Sequence, residues 1–229
     1  MAGPNTDIRT ALVARRDPSQ PFITHLSVDG RVELSGASVR NGAAKIANAL
    51  IDEFDLRPGD AVGVHLPWHW QRITWLLGIW SAGCTVVPGG GEECDLLVAG
   101  PTEAIGLPGT VHVISTHPWG MPLDAAAAAQ LPPGIEDVTD LVRSQPDEQL
   151  NVADHSIQIA LDELTQVEVL QMGRDIAAAY PGALRLGIGH GEYQWWLPAV
   201  WPLVTDGSAV ITDGSDPGAL AVELLDASL

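Results

Sequence analysis

The chain has 229 residues, 46% of them apolar, enough for one large or two small domains with a substantial core. Eleven basic residues against 29 acidic ones give a net charge of −18, which repels phosphate backbones and anionic lipid and so argues against nucleic acid or a membrane surface as partners. The 17 prolines and 24 glycines are scattered, which breaks the chain into many short elements and points to an α/β or α+β class, not a helical bundle.

The opening "MAGPNTDIRTALVARRDPSQP" has no apolar signal-peptide core, and no window approaches the ~18–20 uninterrupted apolar residues of a membrane span, so a cytoplasmic protein is expected. Residues 33–50, "ELSGASVRNGAAKIANAL", predict a helix: Ser35 suits its N-cap, and Val39, Ala43, Ile46, Ala47 and Leu50 form one apolar face. A strand at Val62-Gly63-Val64, a tryptophan-rich helix and a strand in "AGCTVV", 82–87, follow. Lys45 is the only lysine beside ten arginines, as in a GC-rich genome. Cys84 and Cys94 have no second pair, so they suggest neither a zinc site nor a disulfide framework but reduced thiols, at least one of them buried.

"TVVPGGGEE", 85–93, raises the question of a phosphate loop. The glycines would permit close backbone approach, but Pro88 removes an amide donor, Glu92, Glu93 and Asp95 place negative charge there, and nothing basic lies within ten residues. The stretch reads as a turn after a strand. Beyond it, "CDLLVAG" and "TVHVIST" are short β-like runs and "PLDAAAAAQL" a short helix. The polar, proline-bearing segment that follows predicts a flexible connector over 143–156, between a first α/β half, 1–142, and a second, 157–229.

The second half repeats the first. "ELTQVEVLQMGRDIAAAY", 163–180, lies over 33–50 at an offset of 130, with Thr165 and Glu168 as a capping box and Val169, Gly173, Ile176, Ala177 and Tyr180 as the apolar face. At an offset of 124, Leu186-Gly187-Ile188 lies over Val62-Gly63-Val64 and "DGSAVI", 206–211, over "AGCTVV". Two similar α-β-α-β halves with layered sheets and flanking helices are expected.

Candidate chemistry is sparse. His65 and His69 have metal-ligand spacing on a helix, but Pro67 between them predicts that His65 ends a strand and His69 begins a helix; His112 and His117 make no better pair, and no metal or cofactor is expected. No G-x-S-x-G elbow is present, and no catalytic residue stands out. The eight tryptophans are Trp68, Trp70, Trp75, Trp80, Trp119, Trp195, Trp196 and Trp201. They suit either core filling and an oligomer surface, or the walls of an apolar ligand pocket at Trp195 and Trp196 with His190 at its mouth.

Residues 33–88 resemble the opening of the adenylate-forming enzymes, the acyl-CoA synthetase and luciferase-like superfamily: a helix, a connector ending in Pro58-Gly59-Asp60, a strand, a helix, and an Ala-Gly step into a strand ending in proline. "LGIGHGEYQWWLPAVWPLVTDGSAVIT" is similar to the region after that superfamily's phosphate loop, and the resemblance gives His190 the place of a histidine lining the acyl pocket. It also implies a glycine-rich, lysine-bearing phosphate loop just before Glu163, where this chain has "NVADHSIQIALDELT" without glycine or lysine, and an adenine motif and C-terminal catalytic lysine beyond Leu229. The pattern resembles a short actinobacterial family related to acyl-CoA synthetases. The expectation is a truncated, catalytically inactive relative acting as a binding or interaction module, with possible partners a second copy of itself or a small acyl or aromatic ligand.

Overall fold

Ser35 and Thr165 start two long helices in the same way. Each hydroxyl accepts a backbone N–H three residues on, from Ser38 at 3.2 Å and from Glu168 at 3.4 Å. At the second site the Glu168 carboxylate accepts the Thr165 N–H at 2.8 Å, closing the expected capping box. These caps belong to a computed structural model that describes residues 6–91, 93–182, 184–188, 195–212 and 227–228.

Helix α1 (Ile8–Val13) precedes a hairpin of β1 (Pro21–Ser27) and β2 (Gly30–Ser35), then α2 (Gly36–Asp52), β3 (Ala61–His65), α3 (Trp70–Ser81) and β4 (Thr85–Pro88). The middle of the chain adds β5 (Leu96–Ala99), β6 (Val111–Val113), α4 (Ala125–Ala128), β7 (Glu136–Asp137) and α5 (Thr139–Arg143). A second hairpin, β8 (Ile159–Leu161) and β9 (Leu164–Thr165), leads into α6 (Gln166–Ala178), β10 (Arg185–Ile188), α7 (Leu197–Thr205), β11 (Ser208–Thr212) and β12 (Ala227–Ser228).

The strands form a five-stranded sheet, β12-β10-β11-β1-β2, and a seven-stranded sheet, β7-β6-β5-β3-β4-β8-β9. Both are parallel among the described residues except within the two hairpins. Each hairpin joins the sheet of the other segment: β1 runs parallel to β11, with Ile23 opposite Ala209, and β8 runs parallel to β4, with Leu161 opposite Val86. The fold is the mixed α/β class expected, with parallel strands crossed over by helices.

Helices from both segments meet in one core that also takes side chains from both sheets. All five residues of the α2 face, Val39, Ala43, Ile46, Ala47 and Leu50, are buried; on α6 Val169 and Gly173 are buried, whereas Ile176, Ala177 and, just past the helix, Tyr180 pack at the margin. Close crossings set the spacing. A Cβ on Gly78 of α3 would stand 2.5 Å from the Ile46 side chain, and one on Gly173 of α6 2.5 Å from Val200 of α7, so larger residues would force these helices apart. Trp80 and Trp201 have no exposed surface, and the Trp80 indole N–H donates to the Ala160 carbonyl at 2.8 Å, tying α3 to β8.

Residues 143–156 are fastened along α2. Lys45 Nζ donates to the carbonyls of Arg143 (2.8 Å) and Gln145 (2.6 Å) and pairs with Asp147 at 3.0 Å. Fully buried Asn48 donates to the carbonyls of Pro146 (3.2 Å) and Glu148 (2.9 Å) and accepts the Leu150 N–H at 3.0 Å. His155 lies over Gly83, whose φ of +80° and the 2.5 Å from a would-be Cβ to the imidazole both demand glycine. The only lysine therefore holds a loop in place. Asn48→Ala removes three bonds made by a buried amide, and urea unfolding is expected to show a loss of about 2–3 kcal/mol with unchanged helix content.

Candidate functional site

Strands β3 and β4 end side by side at His65 and Pro88, and α/β sheets bind ligands in the crevice beyond such carboxyl ends. Leu66–His69 turns into α3, and Gly89–Gly91 leads away from β4. Between them opens a cavity of about 470 Å³, walled by His65, Leu66, Pro67, Trp68, Arg72 and Glu103.

The glycines of "TVVPGGGEE" shape a turn here. The Gly89 N–H donates to Val64 at 3.1 Å and the Gly90 N–H to Val87 at 3.3 Å, so neither amide is free for a phosphate. Both residues have positive φ, +74° and +70°, and a side chain on Gly90 would strike Leu97. Glu92 lies outside the described residues. Asp95 accepts the Ala61 N–H at 2.8 Å, bracing the start of β3.

His65 and His69 face different partners, as Pro67 requires. His65 Nδ1 lies 3.0 Å from the Gly89 carbonyl, to which it can only donate. His69 is the N-cap of α3, accepts the Gln71 N–H on Nδ1 at 3.2 Å, and meets the His25 ring edge-on at 4.7 Å. Burial, with His25 adding to it, pulls the His69 pKa down to about 3. His112 packs on the Phe54 ring, and His117 Nδ1 accepts the Trp119 N–H at 3.1 Å. Among the described residues no group of three or more His, Cys, Asp or Glu side chains is placed to hold a metal ion, and no helix is long and apolar enough to cross a membrane. Cys84 is buried, Cys94 partly so, and both are free thiols.

The predicted pocket residues part company. Trp196 is core, 6% exposed; His190 lies outside the described residues; partly buried Trp195 packs against a residue of the crevice wall. That residue is Arg72, whose guanidinium carbon stands 5.5 Å from the ring centres of both Trp68 and Trp195. Arg72 Nη1 donates to the Leu66 carbonyl at 3.2 Å, Nε is buried without a partner, and no carboxylate pairs with it among the described residues. Burial lowers its pKa with no nearby acid to offset the effect. The sequence reading passed over this residue. Its signal was isolation: Arg72 is the only lysine or arginine between Arg57 and Arg143.

A second place matters for phosphate chemistry. The stretch before α6, where the resemblance puts a phosphate loop, is the β8–β9 hairpin, with Leu161 opposite Leu164 across a two-residue turn, Asp162-Glu163. Asp162 takes the left-handed conformation at φ +49°, and the following helix start is closed by its own capping box.

Residues 11–90 match the family of AMP-binding enzymes. A Mycobacterium tuberculosis protein, named only by its family, is 33% identical over 144 residues, 58% of this chain and 57% of its own length. The chain is a relative of the AMP-binding enzymes. Its fold is that of the N-terminal part of acyl-CoA synthetases: it superposes on the Brucella canis acyl-CoA synthetase with a TM-score of 0.73 and 15% identity over 94% of this chain and 45% of that one. For apo MatB from Rhodopseudomonas palustris the TM-score is 0.70, with 15% identity over 93% of this chain and 46% of that one. The chain thus spans about half the length of the relatives it matches.

His69 gives this AMP-binding relative an acid sensitivity of known sign. Its imidazole is neutral when folded down to about pH 3 but takes up a proton below pH 6.5 when unfolded, so stability falls as pH drops through that window. Partly buried His112 and buried His155, also lowered mainly by burial, act in the same direction. The melting temperature is expected to decline from pH 6.5 to 4.5, and His69→Asn, which keeps a capping oxygen but cannot titrate, to flatten that slope; an equal slope in the variant would remove His69 as its source.

Proposed function

We propose that this chain keeps the frame of an AMP-binding enzyme without forming acyl adenylates, and serves as a binding or interaction module. The Asp162-Glu163 turn carries the proposal. Adenylation requires a cradle for the phosphates of ATP and positive charge where the α-phosphate is attacked by a carboxylate. At the corresponding place this chain has two carboxylates and a self-capped helix, and residues 144–173 contain neither lysine nor arginine. The matching order of hairpin, helix, strand, helix and strand supports an ancient duplication of 1–142 and 157–229 around the 143–156 connector. We take the module to be cytoplasmic, with a second copy of the chain as a candidate partner.

A second reading, a small-molecule binder for acyl or aromatic ligands with a reshaped pocket, is favoured by Trp195, whose ring packs on the crevice residue Arg72, although Trp196 is committed to the core. The pure protein, incubated with ATP, labelled pyrophosphate, magnesium and a panel of short, long and aromatic carboxylates, is expected to incorporate no label into ATP above the protein-free control. Incorporation with any of these acids would overturn the non-adenylating reading.

A further inference from the structure

A guanidinium half-buried without an acid is out of character for this chain, which holds 29 carboxylates against 11 basic residues. Arg15 shows the usual solution: it donates to the carbonyls of Pro202 and Pro21 at 3.0 and 2.8 Å, and the charges of Asp206 and Asp17 act on it. Arg72 shares with Arg15 a buried Nε without a partner, but it has only one bond, to Leu66, two aromatic neighbours and no acid acting on it. Aromatic rings hold a cation in place without neutralising it. Its Nη2 has no partner among the described residues, and the side chain lines the 470 Å³ cavity at the strand ends. Taking a charge out of water is costly unless an opposite charge meets it, and a guanidinium edge is shaped for the coplanar oxygens of an oxyanion.

Glu103 sets a limit on that anion. It lines the same cavity, yet no ion pair joins it to Arg72. Gly100 makes room for it, since a Cβ there would strike the Glu103 carboxylate. A second negative charge on a ligand would face Glu103, whereas a single one can be met by Arg72. Of the remaining walls, Val64, Leu66, Pro67 and Trp68 are apolar, and the His65 imidazole is engaged with the Gly89 carbonyl.

We propose that Arg72 anchors the oxyanion of a small, singly charged ligand in this cavity, with Leu66, Pro67 and Trp68 against its apolar body and Glu103 excluding dianions. The inference deepens the binding-module reading and is independent of the missing phosphate loop, so the exchange assay and the ligand titration can fail separately. The full chain is titrated at pH 8 by calorimetry and by tryptophan fluorescence, to which Trp68 and Trp195 contribute. Benzoate and benzenesulfonate are expected to bind saturably and uncharged benzamide not to bind. Arg72→Gln and Arg72→Lys, each checked for an unchanged melting temperature, are expected to weaken benzoate by about 10- to 100-fold, the second because lysine lacks the planar fork. Phenyl phosphate, a dianion at this pH, is expected to bind about 10-fold more weakly than benzoate, and Glu103→Gln to remove the difference. Absence of saturable binding by either monoanion, or undiminished affinity in a folded Arg72 variant, overturns the site. Phenyl phosphate binding as tightly as benzoate overturns the role given to Glu103.

Discussion

Backbone pairing between distant parts of the chain governs this structure. Strand β1 needs β11 for one of its edges, and β4 needs β8, so each sheet is completed by residues from the other side of the 143–156 segment. An unpaired parallel edge would leave a row of buried N–H and C=O groups without partners, which proteins avoid almost without exception. Buried side chains fix the same junction. Gln166, fully buried at the start of α6, donates to the Trp80 carbonyl at 2.6 Å and accepts the Ile8 N–H at 3.0 Å. Arg15 spans from the Pro21 carbonyl to that of Pro202. A shift of one segment against the other would orphan all of these groups together, which is how polar bonds in a core specify one arrangement over its near neighbours.

The crevice is a consequence of that frame. Because β3 and β4 are parallel and adjacent, their ends open at the same side, and the chain must leave each by a turn. One turn is built of glycines that spend their amides on Val64 and Val87; the other carries Trp68 and, one helical turn on, Arg72. The far segment then supplies Trp195 to the same arginine.

The helices α2, α3 and α6 and the strands β3, β4, β10 and β11 were legible because each buries one face or one run, and because Ser35 and Thr165 announce helix starts chemically. The hairpins were not. In "PFITHLS" both faces are buried, Phe22 and Thr24 on one and Ile23 and His25 on the other, so no apolar-polar alternation marks β1. Strands β8 and β9 have three and two residues, too short for periodicity to show. The site was hidden for a different reason. In the sequence Trp195 suits a pocket wall beside His190 and Trp68 has no assigned partner, and only the fold brings both rings to Arg72.

The β8–β9 hairpin shows why fold and phosphate chemistry can separate in this architecture. What the seven-stranded sheet requires of it is one parallel partner for β4, met where Leu161 sits opposite Val86, and the Thr85 hydroxyl adds a bond to the Ile159 carbonyl at 3.0 Å. Neither contact depends on the turn that closes the hairpin. Lengthening a loop twofold costs only about 0.6 kcal/mol in closure entropy, so a long glycine-rich loop and the two-residue Asp162-Glu163 turn are nearly equivalent for the sheet. They differ completely for a triphosphate, which meets open amides and a lysine in one case and two carboxylates in the other. Structural likeness to adenylating enzymes therefore says little about ATP, and the chemistry of this chain has to be sought where its own residues leave charge unmet, at Arg72.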